Sequence, residues 1–128
     1  MTHVDFLVQA DYKSPSENIL IKVPLIQFEQ DGIQIVYCPA LDIQGYGNND
    51  KEARDSFVIV LEEFLTYTLH KKTFFSEMKK MGWKIKSKHK PMLPPNLCDS
   101  LKNNENFQQI FNQHNFQKFD TEIPMPVA

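Results

Sequence analysis

Glycine is scarce in this chain, with Gly32, Gly45, Gly47 and Gly82 the only four among 128 residues. None opens a G-x-G-x-x-G or P-loop pattern, so no glycine-rich backbone is available to cradle a phosphate. Cysteine is scarcer still. Cys38 and Cys98 form no C-x-x-C and no disulfide framework, and read as free thiols of a reducing cytoplasm. The histidines His3, His70, His89 and His114 are scattered, none with a partner at i+4 or a cysteine at metal-ligand spacing. No serine or cysteine sits in a nucleophile-elbow context. Nothing here assembles the base, nucleophile and stabilising groups that an active site needs, so the expectation is a protein that is not an enzyme and takes no metal or cofactor. No stretch approaches the ~20 apolar residues of a membrane helix. The N-terminus lacks a basic region followed by an apolar one, so no signal peptide is expected and the cytoplasm is the expected compartment. A net charge of −2 selects no partner by itself.

What is present centres on residues 29–69. Asp31-Gly32 stands between apolar runs, the sequence signature of a two-residue hairpin turn. A type I′ turn there pairs Gln30 with Ile33, Phe28 with Ile35 and Ile26 with Tyr37. Ile26, Phe28, Ile33, Ile35 and Tyr37 then share one face, and a slip of one residue would turn that face to solvent. Residues 43–46 read as a third strand. Asn49 with Glu52 three residues on has the spacing of a capping box, and Asp50 and Glu52 place negative charge at the positive end of a helix. Ala53, Phe57, Val60, Leu61, Phe64 and Thr68 fall on one face of that helix, widened by Val58, Leu65 and Leu69. Asp55, Glu62, Glu63 and Thr66 lie opposite. Ile59 stands alone among them, either an ordinary exposed residue or an oligomer contact.

Upstream, residues 1–10 carry a short apolar patch of strand character. Ile19, Ile21, Val23 and Leu25 alternate, but the parity changes before Ile26 and Phe28. Pro24 cannot donate to a ladder, so a bulge or a sheet-edge position is expected there. Downstream, Phe74, Phe75, Met78 and Met81 mark a short second helix stopped by Gly82. Residues 83–90 alternate, with Lys84, Lys86, Lys88 and Lys90 on one side, and are expected to form a strand at a sheet edge. Residues 70–90 hold eight lysines against Glu77, a net of +7; the rest of the chain holds six Lys and Arg against fifteen Asp and Glu, a net of −9. The lysines suit a solvated edge that resists aggregation. The second reading, behind that one, is a surface for phosphates or an acidic partner, including DNA contacted through its backbone. Pro91, Pro94 and Pro95 stiffen a connector. Asn96 can cap a short helix bearing Leu97 and Leu101, and Phe107, Ile110 and Phe111 suit another turn or two. The tail, with Ile123, Met125 and Val127 between prolines, is extended and apolar. It either packs on its own domain or docks on another protein by strand addition or groove filling.

Several of these pieces together resemble the HicB family of antitoxins. They are Phe28-Glu29-Gln30-Asp31-Gly32-Ile33, then Cys38-Pro39-Ala40-Leu41, Gly45-Tyr46-Gly47, Asp50-Lys51-Glu52-Ala53 and Leu61-Glu62-Glu63-Phe64-Leu65. The match runs from about Ile21 to Leu69. The resemblance implies a strand-strand-strand-helix-strand domain like a degraded ribonuclease H fold. It implies binding and neutralisation of a small HicA-type mRNA-cleaving toxin, and homo-oligomerisation. Many relatives add a C-terminal helix-turn-helix or ribbon-helix-helix for operator DNA. Residues 91–128 have no glycine for such a turn and only Lys102 and Lys118 as strong cations. The carboxylates Glu29 and Asp31 lie at a turn without companions for two metals.

The expected architecture is α+β: an antiparallel sheet of three to four strands under one long helix, in the order strand-strand-strand-helix-strand, with a short second helix. Residues 1–90 form that domain and residues 91–128 a Pro/Asn-rich extension of short helices and an extended tail. The residues expected at a partner interface are Ile59, Ile123, Met125 and Val127, and those expected at phosphates are Lys84, Lys86, Lys88 and Lys90.

Overall fold

The computed structural model describes residues 6–7, 18–85 and 92–126. Five strands lie in one sheet: β1 (Phe6–Leu7), β2 (Asn18–Gln30), β3 (Ile33–Cys38), β4 (Ile43–Gly47) and β5 (Phe116–Pro126), in the spatial order β1-β5-β2-β3-β4. The long helix α1 (Asp50–His70) and the short α2 (Phe74–Lys80) follow β4; α3 (Leu97–Asn103) and α4 (Glu105–Gln113) precede β5. All pairings are antiparallel except β1 with β5, which is parallel. The fold is α+β with the expected long helix on the expected hairpin.

The hairpin has the expected register, Ile26 opposite Tyr37, Phe28 opposite Ile35 and Gln30 opposite Ile33. Asp31 and Gly32 both have positive φ, 53° and 82°, as a type I′ turn requires. The apolar face this creates does not meet α1. Ile26, Phe28, Ile35 and Tyr37 pack with Phe107 and Ile110 of α4. The alternate residues, Val23 and Leu25 of β2 with Val36 and Cys38 of β3, face the other way and meet Phe57, Leu61 and Leu65 of α1. The sheet therefore has a core on each side, and this explains the parity change in β2. The ladder of β2 with β5 is unbroken from Asn18 to Phe28, so there is no bulge at Pro24. Leu25 and Ile26 are both fully buried because each belongs to a different core. On the β3 side, pairing begins only at Ile26, so Pro24 sits at an edge and spoils no ladder bond there.

The strand that pairs with β2 after α1 is β5, from the C-terminal extension, whereas the expectation placed a later strand at residues 83–90, of which only residues 83–85 are described. Lys84 makes one isolated bridge with Leu93, their backbone groups exchanging two 2.9 Å hydrogen bonds. The rest of the lysine alternation, residues 86–90, lies outside the described residues. Strand β5 instead runs the length of β2, and its Thr121, Ile123 and Met125 are fully buried. Among the described residues β1 pairs with Thr121 and Glu122 on the far side of β5, so Pro124 costs no ladder bond to β1.

Each helix end has a local cause. Asn49 Oδ1 accepts from the Glu52 N–H at 2.9 Å, while Glu52 Oε2 accepts from the Asn48 N–H, one residue earlier than in a standard capping box. Lys72 takes a left-handed conformation (φ 60°), and Thr73 N–H and Lys72 N–H reach back to the carbonyls of Thr68 and Leu69. That is a Schellman end made without glycine, which is why the break after α1 leaves no Gly or Pro signature. Gly82 (φ 95°) ends α2 in the same way, with Trp83 N–H on the Met78 carbonyl. Asn96 and Asn104 cap α3 and α4 through the Asp99 and Phe107 N–H groups.

Candidate interaction surface

Helix α1 presents two opposed rows of side chains at four-residue spacing. Ala53, Phe57, Leu61 and Leu65 are the buried row. Asp55, Ile59, Glu63 and Tyr67, continued by Lys71 at the helix end, are the exposed row. Residues at i and i+4 are neighbours on a helix surface, so the exposed residues form one continuous ridge. Its composition is ordered along the helix: an acid, an aliphatic, an acid, an aromatic, a base. Ile59 is 56% exposed and Tyr67 63%, large apolar side chains held in water. Glu62, three residues from Ile59, adds a third carboxylate to the ring formed by Asp55 and Glu63. Lys51 Nζ lies 2.6 Å from Asp55 Oδ2, and Asp55 holds the Lys51 ammonium above its usual range. The Lys71 ammonium sits 5.7 Å from the centre of the Tyr67 ring, a cation–π distance.

A groove of about 450 Å³ runs beside this ridge, between the last turns of α1 and the start of α2. Phe64, Tyr67, Thr68 and Lys71 of α1 and its cap line it together with Thr73 and Glu77. Phe64 is only half-buried, so its ring contributes to the groove as well as to the core.

The neighbouring sheet edge is less available. Strand β4 is the edge on this side, but the Tyr46 N–H is bonded to Ser56 Oγ of α1 at 3.1 Å. The helix reaches β4 because Gly45 and Gly47 present no side chain to it, and its serine then caps an edge donor that would otherwise invite another strand.

A polar cluster lies at the opposite end of the strands. The Tyr37 hydroxyl donates to Asp42 Oδ1 at 2.5 Å and accepts from Asn104 Nδ2 at 2.7 Å; Asn106 Nδ2 also reaches Asp42. Burial, reinforced by the Asp42 carboxylate, pushes the Tyr37 hydroxyl well above the usual phenol range and keeps it protonated. Trp83 Nε1 donates to the Ala40 carbonyl at 2.7 Å from the other side. The β3–β4 loop is thus tied to α4 and to the segment after α2. The cluster borders a cleft of about 420 Å³ lined by Asp42, Lys80, Ser100 and the asparagines around Asn104. Its hydrogen bonds are made within the protein, with the geometry of a lock between layers. Among the described residues no group of three His, Cys, Asp or Glu side chains is placed to hold a metal ion. No helix of the described residues is long and apolar enough to cross a membrane.

The residues expected at a partner interface are separated by the fold. Ile59 is on the exposed ridge. Ile123 and Met125 are fully buried in the core under α1, so they offer no surface to a partner; that part of the expectation is corrected. Val127 lies outside the described residues. Of the lysines, Lys84 is exposed beside its bridge to Leu93, and Lys86, Lys88 and Lys90 lie outside the described residues. Sequence reasoning missed Tyr67, although its place in the i+4 row from Ile59 through Glu63 is a signal that could have found it. Compared with protein-family models, with curated proteins and with solved structures, the chain matches none.

Proposed function

We propose that the protein is a HicB-like antitoxin, a cytoplasmic binding module that neutralises a small HicA-type mRNA-cleaving toxin by covering the surface with which the toxin grips RNA. The observation that carries this reading is Ile59. It is an exposed aliphatic side chain on the long helix with Asp55, Glu62 and Glu63 around it. A protein that cleaves mRNA must meet phosphates with cations. An apolar anchor in a ring of carboxylates complements such a surface in charge and gives a desolvated centre. The residues that carry the HicB resemblance supply β2, β3, β4 and α1, the unit that displays the ridge.

The test is co-expression with the adjacent open reading frame and a pull-down on a tag carried by this chain. A small basic protein should come down, be toxic when expressed alone, and be lost from the pull-down with Ile59→Glu or Glu63→Lys. A neighbour that neither binds nor harms the cell would end the antitoxin reading. A complex indifferent to both substitutions would keep the antitoxin and remove the ridge from its interface.

A further inference from the structure

The cleft beside the Tyr37–Asp42 lock separates two walls of opposite charge. One wall is the end of α2, where Lys79 and Lys80 are both exposed. The other is the corner between α3 and α4 with the β3–β4 loop, and it brings Asp42, Asp99 and Glu105. Among the described residues no ion pair crosses from one wall to the other. The Lys80 ammonium reaches only Glu77 of its own helix, at 3.4 Å. The hollow between the walls has a volume of about 420 Å³ and continues past Lys79 and Asp99 into a second of about 330 Å³.

Hydrogen-bonding capacity on the acidic wall is unspent as well. The donors that reach Asp42, from Tyr37, Asn104 and Asn106, all converge on its Oδ1, and its Oδ2 has no partner among the described residues. Ser100 is only 6% exposed, yet its hydroxyl opens on the cleft and has no hydrogen-bond partner among the described residues. The buried Thr68 is the contrast, since its hydroxyl donates to the Phe64 carbonyl at 2.8 Å. A buried polar group left without a partner costs free energy, and a ligand in the cleft would recover it.

We propose that this cleft binds a small zwitterion of the amino-acid class, its carboxylate on Lys80 and its ammonium on Asp42 Oδ2 and Glu105, with the Ser100 hydroxyl completing the set as donor or acceptor. Charge decides the class. A simple anion would meet the carboxylates of one wall, and a simple cation would meet the lysines of the other. A neutral polyol would take both walls out of water without supplying a counter-charge, which costs free energy. A ligand with both charges neutralises both walls as it displaces their water. The volume lies in the range of small-ligand sites and leaves room for a side chain beyond the two charged groups. A free amino acid and a dipeptide share this chemistry and differ in the span between their charges. Bound there, either one ties the end of α2 to the α3–α4 corner. The site is separate from the α1 ridge and does not require any toxin to exist.

The experiment is isothermal titration of the full chain with each common L-amino acid, with alanyl-alanine and with glucose, up to ~10 mM, alongside thermal melting. The expected result is saturable binding of at least one amino acid or of the dipeptide. It should raise the melting temperature by about 3 °C or more at about ten times Kd. Acetylating the amine of that ligand, or amidating its carboxylate, should each weaken binding at least ~10-fold. Lys80→Met and Glu105→Gln should each weaken it at least ~5-fold and Ser100→Ala at least ~3-fold, with the circular dichroism of each variant unchanged. Binding of alanyl-alanine alone would support the site and assign it the longer span. No saturable binding by any of these zwitterions overturns the proposal. So does binding that survives acetylation and amidation, which would need no paired charges. Binding indifferent to both Lys80→Met and Glu105→Gln would place the ligand on another surface and overturn it too, as would binding of glucose in place of every zwitterion.

Discussion

Gly45 lies directly beneath Phe57, so close that a Cβ on Gly45 would overlap the Phe57 backbone nitrogen. The helix therefore rests on the backbone of the edge strand rather than on its side chains. Gly45→Ala cannot be absorbed by moving a flexible group, because the obstacles are the backbone atoms of Phe57 and Ser56. It should destabilise the protein by about 2–3 kcal/mol or more in a denaturant titration, and loosen the Ser56 cap on Tyr46. Gly32→Ala is the contrasting control. A Cβ on Gly32 would meet no atom within 4 Å, and only the positive φ of 82° opposes it. That should cost about 1–2 kcal/mol. Equal effects at the two glycines would mean that α1 does not sit on β4 as described.

The two phenylalanines that the helical wheel places on one face are not equivalent. Phe57 is fully buried and Phe64 is half-buried against the groove. Phe57→Ala should cost ~3–5 kcal/mol. Phe64→Ala should cost about half as much, because the part of the ring already in water has little left to lose. Denaturant midpoints for the two variants decide the order, and a larger loss at Phe64 would place the core on the wrong side of the helix.

Alkaline pH should unfold the protein through two buried groups. Burial pushes the Cys38 thiol from 9.0 up to about 12, and burial with the Asp42 carboxylate raises the Tyr37 hydroxyl. In each case the unfolded chain loses its proton first. The folded state then binds more protons than the unfolded one, and stability falls as pH rises. For Cys38 the loss spans about pH 9 to 12; for Tyr37 it begins near its ordinary value of 10.0. Each group contributes a slope of up to ~1.4 kcal/mol per pH unit within its window. Guanidinium titrations from about pH 8 to about pH 11 should show the decline, and Cys38→Ala and Tyr37→Phe should each flatten it. A midpoint independent of pH across that range would contradict the burial of both groups.

Local features of this fold are legible in the chain, and long-range ones are not. The Asp31-Gly32 turn, the pairing of Ile26 with Tyr37, the Asn49 cap and the Gly82 stop depend on neighbours a few residues away, and each can be read from spacing. The partner of β2 cannot be read in this way. It comes from residues 116–126, and the prolines there argue against a strand until one sees that, among the described residues, β1 pairs only with Thr121 and Glu122 of β5. The lysine alternation at 83–90 draws attention away from β5. Its other face offers Ile85 with the polar Ser87 and His89, whereas Thr121, Ile123 and Met125 of β5 are fully buried under or beside α1. The second core is also hidden from the sequence, because a helix shorter than three full turns, α4, covers it from far along the chain. Of the candidate surface, Ile59 is visible as a lone apolar residue on a polar face. The groove beside Tyr67 is not, since it exists only once α2 folds back on α1.

Ile59 and Ile123 carry the same side chain and the same expectation of partner contact, yet the fold gives them opposite roles. Ile123 is fully buried opposite Ile21 in the β2–β5 ladder. Ile123→Asp would bury a carboxylate with no cation or donor arranged for it, and should abolish cooperative folding or lower stability by several kcal/mol. Ile59→Asp adds one more carboxylate to an exposed helix face and should change stability by no more than ~0.5 kcal/mol. The same substitution should still weaken capture of a partner by the ridge, because it replaces the exposed apolar side chain with a charge. Thermal melting and pull-down of the two variants separate the roles. If Ile59→Asp unfolds the protein, the ridge is part of the core; if Ile123→Asp folds normally and loses a partner, β5 is an arm and not a strand of its own sheet.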